Sequence, residues 1–171
     1  MTTPRSILSL ALLFGVTLVA NAQQENDWIV KALDKNGWAE FDLNTGLASG
    51  TNGVLVIYKD AVLTADQVSV NQITGEAIAD GHVHIQRDDQ VWVGEHIRYN
   101  FKTRQMEAEQ FRTGRPPVFA HGGRVEGGES NGTYTAHDAY ITTDDSGEPR
   151  MKVRASSITI TPGRFRLRTA R

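Results

Sequence analysis

Four stretches of this chain share an apolar pattern that alternates, slips by one place, and then alternates again. Leu63-Thr64-Ala65-Asp66-Gln67-Val68-Ser69-Val70 has the form apolar-x-small-x-x-apolar-x-apolar. Trp92-Val93-Gly94-Glu95-His96-Ile97-Arg98-Tyr99 repeats it 29 residues further on. Tyr134-Thr135-Ala136-His137-Asp138-Ala139-Tyr140-Ile141 and Val153-Arg154-Ala155-Ser156-Ser157-Ile158-Thr159-Ile160 carry it twice more. Side chains of a β-strand alternate faces with a period of two, so two polar residues in succession reverse the parity. A β-bulge inserts one such extra residue, and it bends and twists the strand. The pattern predicts kinked strands, bent at equivalent places and laid side by side.

A second repeat sits between these strands. Phe41-Asp42-Leu43-Asn44-Thr45-Gly46-Leu47-Ala48, Val70-Asn71-Gln72-Ile73-Thr74-Gly75-Glu76-Ala77 and Tyr99-Asn100-Phe101-Lys102-Thr103-Arg104-Gln105-Met106 align on a threonine every 29 residues. Asn and Thr-Gly between bulky residues form turns, so each stretch is expected to be a hairpin corner. Val54-Leu55-Val56-Ile57-Tyr58 alternates simply, as does Gly81-His82-Val83-His84-Ile85, with Val83 and Ile85 on one face and both histidines on the other. Asp88-Asp89 marks a tight turn. Residues 112–132, crowded with glycine and holding Pro116-Pro117, break the rhythm; they are expected to form a long connection in which only Val118-Phe119-Ala120 is a strand. Residues 144–149 are expected to be a surface loop. No segment after residue 22 sustains the i, i+3, i+4, i+7 apolar spacing of a helix. The expected fold is all-β.

The first 22 residues stand apart. Arg5 is a positive start, Ile7 to Val19 is an almost unbroken apolar run, and Ala20-Asn21-Ala22 is a small-x-small cleavage site. This is the layout of a secretory signal peptide, too short for a membrane span, which takes roughly 20 apolar residues. The mature domain is expected to cover residues 23–171, with 17 bases against 20 acids. That balance gives no basic surface for nucleic acid. There is no cysteine, so neither disulfides nor thiolate chemistry contribute, and no lipid-modified cysteine comes after the signal. Stability rests on burial.

Little in the sequence calls for catalysis. Gly-x-Ser-x-Gly and phosphate-loop motifs are missing. Asp66 and Glu95 could serve as a glycosidase carboxylate pair, but both occupy the repeated bulge position, which favours a structural role. His82-x-His84 could ligate a metal, but no third ligand is placed beside them; outward, solvated histidines are the alternative. No enzyme activity, metal or cofactor is expected.

Ala48-Ser49-Gly50-Thr51-Asn52-Gly53-Val54 and Ala77-Ile78-Ala79-Asp80-Gly81-His82-Val83 resemble the A-x-A-x-G-N-V corner of the OstA/LptA family of lipopolysaccharide-transport proteins. Leu63-Thr64-Ala65-Asp66 and Val93-Gly94-Glu95 resemble that family's x-A-D/E bulge. The resemblance is good over residues 37–113 and looser elsewhere; His82 stands in place of Asn, and Gln105 and Met106 replace small residues in the third corner. It implies a twisted, partly open β-jelly roll built from stacked bulged strands, with an apolar interior. Residues 149–164 are similar to the segment just after this domain in the large outer-membrane assembly protein of the system (LptD). A stand-alone bridge protein and the N-terminal domain of such an assembly protein both fit.

If the bulged strands stack, one parity points inward together. That parity puts Val54, Val56, Leu63, Ala65, Val68, Val70, Val83, Ile85, Trp92, Ile97, Tyr99, Val153, Ile158 and Ile160 inside. By the resemblance, these residues line a groove for the acyl chains of lipopolysaccharide or a related lipid, and small Ala65, Gly94, Ala136 and Ala155 leave room at the bulges. It also implies a protein that works in the periplasm, where it can associate with the outer membrane toward which it moves its cargo. The plainer alternative is a structural β-repeat module with a filled core and no lipid. Partner jelly-roll domains, including copies of this chain end to end, would pair with exposed edge strands. Arg164-Phe165-Arg166-Leu167-Arg168 alternates cation and apolar residue as an edge strand does; its arginines either block aggregation or meet lipid phosphates.

Overall fold

The computed structural model describes residues 27–128, 132–144, 148–161 and 164–168. Residues 1–22, expected to be a signal peptide, lie outside them. The described chain is all-β: β1 (Trp28–Ala32), β2 (Trp38–Asp42), β3 (Leu47–Tyr58), β4 (Ala61–Asn71), β5 (Glu76–Arg87), β6 (Gln90–Asn100), β7 (Met106–Arg115), β8 (Val118–Gly127), β9 (Tyr134–Thr142), β10 (Val153–Thr161) and β11 (Arg164–Arg168). From β3 to β11 each strand pairs antiparallel with the next in one open sheet. β1 and β2 lie end to end along the free side of β3, opposite residues 54–58 and 47–51.

The parity slips are present where the apolar pattern places them. On β4, Leu63 and Ala65 are buried, Asp66 and Gln67 are both exposed, and Val68 and Val70 are buried again. β6 repeats this with Gly94, Glu95, His96 and Ile97. Pairing shifts between Thr51 and Val54, between Thr64 and Gln67, and between Asp80 and Val83. Backbone at the kinks is left-handed at Asn52 (φ 58°), Gly81 (φ 73°), His82 (φ 46°), Gln110 (φ 48°) and Asp138 (φ 49°). The kinks therefore form a line across the sheet from β3 to β10, a longer one than the four apolar repeats alone reveal.

How far the strands bend is fixed by one contact. β5 has 12 residues, about 36 Å if extended. Glu76, at its start, is paired with Asn100, and Arg87 is its last residue. Yet Arg87 Nη1 donates to the carbonyl of Phe101, next to Asn100, at 2.9 Å. The strand must turn back on itself at the kink. The single sheet is thus folded into two facing half-sheets, joined by continuous backbone along the kinks (the spine) and meeting at their hairpin ends only through side chains (the seam).

The 29-residue repeat builds the corners of one half-sheet. Asn71 Oδ1 accepts from the backbone N–H groups of Ile73 and Thr74, both at 2.9 Å. Asn100 does the same for Lys102 and Thr103, at 2.9 and 3.0 Å, and Asp42 takes that place in the first corner. The corners stack: Gln72 N–H donates to Gly46 O and Phe101 N–H to Gly75 O, each at 2.8 Å. Where the first two corners use glycine in the left-handed region, the third uses Arg104 at φ 67°.

Residues 112–132 differ from expectation. They hold the second half of β7 and all of β8, joined by a tight hairpin at Pro116-Pro117. Gly122, one of the glycines that suggest a loop, serves packing. A Cβ on Gly122 would lie 2.7 Å from the Phe111 ring and 3.0 Å from Ala139 Cβ, so only glycine fits in this strand.

Between the half-sheets lies one apolar core. At the seam Trp28 stacks on Tyr58 with centroids 4.2 Å apart, and Phe101 meets both edge-on, at 5.2 and 6.2 Å. Gly94 at its kink does not leave a gap. A Cβ on Gly94 would already stand 3.3 Å from Ile97, so smallness there lets the bend close.

Candidate functional site

From β5 to β11 the seam does not close. A cleft of about 530 Å³ opens between the half-sheets, with β5, β6 and the β7–β8 hairpin on one wall and Tyr99, Arg104, Tyr134 and the β10–β11 hairpin on the other. Its floor is apolar and aromatic: Ile85, Trp92, Tyr99, Tyr134, Ile160 and Phe165. Strand alternation positions them, since Ile85 and Trp92 are cross-strand partners, as are Ile160 and Tyr134, and Ile160 and Phe165. The rim is charged, with Arg104, Arg164, Asp88 and Asp89 at the mouth.

Polar groups on the floor are satisfied from within. Tyr99 Oη accepts from Arg87 Nη1 at 3.1 Å, Tyr134 Oη donates to the carbonyl of Arg104 at 3.0 Å, and Thr113 Oγ1 donates to the carbonyl of Val91 at 2.7 Å. Burial pushes the Tyr99 and Tyr134 hydroxyls above the usual phenol range, so both stay protonated and neutral. The floor presents ring faces and methyl groups, and the Arg87 guanidinium that also lines it is engaged with Asp60, Tyr99 and the carbonyl of Phe101. Such a surface holds apolar ligand segments, and the rim holds a polar head beside the arginines.

Arg87 closes the sealed part of the seam. Its Nε and Nη2 hold Asp60, while Arg104 reaches Asp60 and Asp88, each at 3.8 Å.

Of the fourteen inward residues expected from parity, Val54, Val56, Leu63, Ala65, Val68, Val70, Val83, Ile85, Trp92, Ile97, Tyr99, Ile158 and Ile160 are buried. Val153 is not: it is 60% exposed, because it is the first residue of β10 and burial on that face begins only at Ala155. Only Ile85, Trp92, Tyr99 and Ile160 of the set line the cleft. The others are packed beneath or beside it. Arg104, Tyr134 and Phe165 line it too, although they are not among the fourteen. Tyr134 opens the third copy of the slip, which is the signal that could have placed it.

His82 and His84 share a strand, but His82 turns to Asp66, Nδ1 to Oδ2 2.8 Å. Among the described residues no three His, Cys, Asp or Glu side chains converge as a metal site. Asp66 and Glu95 sit on the outer face of the spine, exposed and away from the cleft.

No family model and no curated protein matches the chain. Among solved structures it is similar to the crystal structure of LptH, the LptA homologous periplasmic component of the lipopolysaccharide transport device from Pseudomonas aeruginosa. The match is 15% identical with a TM-score of 0.49, and covers 74% of this chain and 93% of that one. At that level the similarity assigns neither chain's role to the other.

Proposed function

We propose that this chain is a periplasmic carrier, not an enzyme, which takes acyl chains of lipopolysaccharide or a related lipid into the cleft and helps move that lipid toward the outer membrane. The observation that carries the proposal is the cleft itself: an aromatic and aliphatic floor without unpaired polar groups, opening at a rim with Arg104 and Arg164. Each methylene moved from water onto such a floor contributes about 0.8 kcal/mol, so chains are held without specific contacts. The A-x-A-x-G-N-V corners and x-A-D bulges point the same way. Val54, Val56, Leu63, Ala65, Val68, Val70, Val83, Ile97 and Ile158 then act as the packed bed of the groove, and Ile85, Trp92, Tyr99 and Ile160 as its open part. The free edges at β1–β2 and at β11 suit strand pairing with neighbouring jelly-roll domains or with another copy.

One observation favours the second reading, a structural module with a filled core: the interior from β3 to β5 is sealed. Extraction of purified protein separates the two. The carrier yields bound fatty acid; the module yields none. In cells making lipopolysaccharide, a photo-crosslinking side chain at Ile85 or Ile160 is expected to capture the lipid, whereas one at His84 on the outer face is not. Equal labelling at all three positions, or none, would overturn the carrier proposal.

A further inference from the structure

We propose that Trp92 and Tyr134 form a bar across the cleft that sets how long an acyl chain it accepts. The inference rests on the cleft being a lipid site. Trp92 lies on β6, paired with Thr113 of β7. Tyr134 opens β9, between Gly127 of β8 and Ile160 of β10. β6 and β9 are not neighbours, so the edge-on contact of the two rings, centroids 4.7 Å apart at 61°, crosses the gap between half-sheets.

Both rings are held in place. Trp92 rests on Phe111 at 5.8 Å. The Tyr134 hydroxyl is tied to the carbonyl of Arg104. Gly128, at φ +111°, passes so near the Tyr134 ring that a Cβ there would collide with it. On the cleft side the rings stand with Ile85 and Ile160. Toward the spine lie Ala108, Phe111, Val125 and Ala136, all buried and none in contact with the cleft.

A chain entering from the seam gains contact with each methylene until its end meets the bar. Further methylenes stay in water. Affinity should therefore climb about fourfold per methylene and then level off. A leucine at 92 or 134 vacates the space the ring fills between the cleft and these packed residues, so the cleft deepens and the levelling moves to longer chains.

The probe is a series of single-chain alkyl phosphates of increasing length, each below its micelle concentration, titrated into the whole protein by calorimetry. The unaltered protein is expected to show the climb and the break. Trp92→Leu and Tyr134→Leu should each move the break to longer chains, while Trp92→Phe and Tyr134→Phe leave it in place. Tyr134→Leu tests the bar from the opposite half-sheet should Trp92→Leu lose its fold. An affinity that climbs without a break, or a break unmoved in the leucine variants, overturns the bar while the lipid site stands. Failure of every chain length to bind overturns both.

Discussion

Arg87 grips Asp60 through two hydrogen bonds, Nε to Oδ2 at 2.9 Å and Nη2 to Oδ1 at 2.8 Å, and directs Nη1 to the opposite half-sheet. The guanidinium is largely buried, its side chain 14% exposed against 41% for Asp60. Arg87→Met keeps the apolar stem but leaves Phe101 O and Tyr99 Oη without their donor. Loss of one partner of a fully buried pair costs roughly 3–5 kcal/mol. Because Asp60 can rehydrate, about 2 kcal/mol is expected here, read by urea denaturation. A loss under about 0.5 kcal/mol would show that the aromatic cluster closes the seam unaided.

Acid should loosen the same clasp. The Arg87 hydrogen bond is the largest influence holding the Asp60 carboxyl below its ordinary value, ahead of the opposing effect of burial. A carboxyl with a lowered folded pKa contributes stability that is complete above its unfolded value, near 3.9, and is lost as pH falls through the folded value. Denaturation midpoints of the unaltered protein and Asp60→Asn should therefore converge as pH drops below about 4. Parallel curves down to the acid limit would contradict this.

Parity alone treats as equals residues that the strands bury to very different extents. Parity places Ile97 and Val153 both inside, yet Ile97 is fully buried and Val153 is 60% exposed. Ile97→Ala is expected to cost about 3 kcal/mol and Val153→Ala less than about 0.5 kcal/mol. Comparable losses would mean that β10 begins inside the core.

This contrast shows what was legible in the chain. A parity slip is a local signal, so the kinks at Asp66 and Glu95 could be read from eight residues each. The corners were legible because Asn71 and Asn100 bond to residues two and three places on. How sharply each strand folds back is not a local property; it is fixed by contacts such as Arg87 with the carbonyl of Phe101, 14 residues away. The same limit hides the cleft, whose walls come from strands far apart in order. The β7–β8 hairpin escapes a sequence reading because Gly122 and Gly123 look like loop residues until Phe111 is seen to require the space at Gly122.

Asn100 offers a test of the repeat. Its Oδ1 satisfies two backbone N–H groups, and its Nδ2 donates to the carbonyl of Thr74 in the preceding corner at 3.3 Å. Asn100→Ala removes all three bonds, whereas Asn100→Asp keeps the first two, as Asp42 does in the first corner. The alanine variant should lose about 1–2 kcal/mol and the aspartate variant less than half of that. Equal losses would place the corner's stability in its backbone turn alone.

On the outer face of the spine, His82 pairs with Asp66 across β4 and β5, and His96 with Asp80 across β5 and β6. The hydrogen bond to Asp66 is the main cause raising the His82 pKa above its ordinary 6.5, helped by the charges of Asp66 and Glu95. A histidine with a raised folded pKa contributes stability that is complete below its unfolded value and fades as pH rises through the folded one. The effect on stability is small because the ring is exposed, so the sharper measurement is the imidazole itself. An NMR titration should place the His82 midpoint above 6.5. Asp66→Asn should bring it most of the way back, and Glu95→Gln should move it less. A midpoint unmoved by Asp66→Asn would show that the two side chains do not hold each other at the kink.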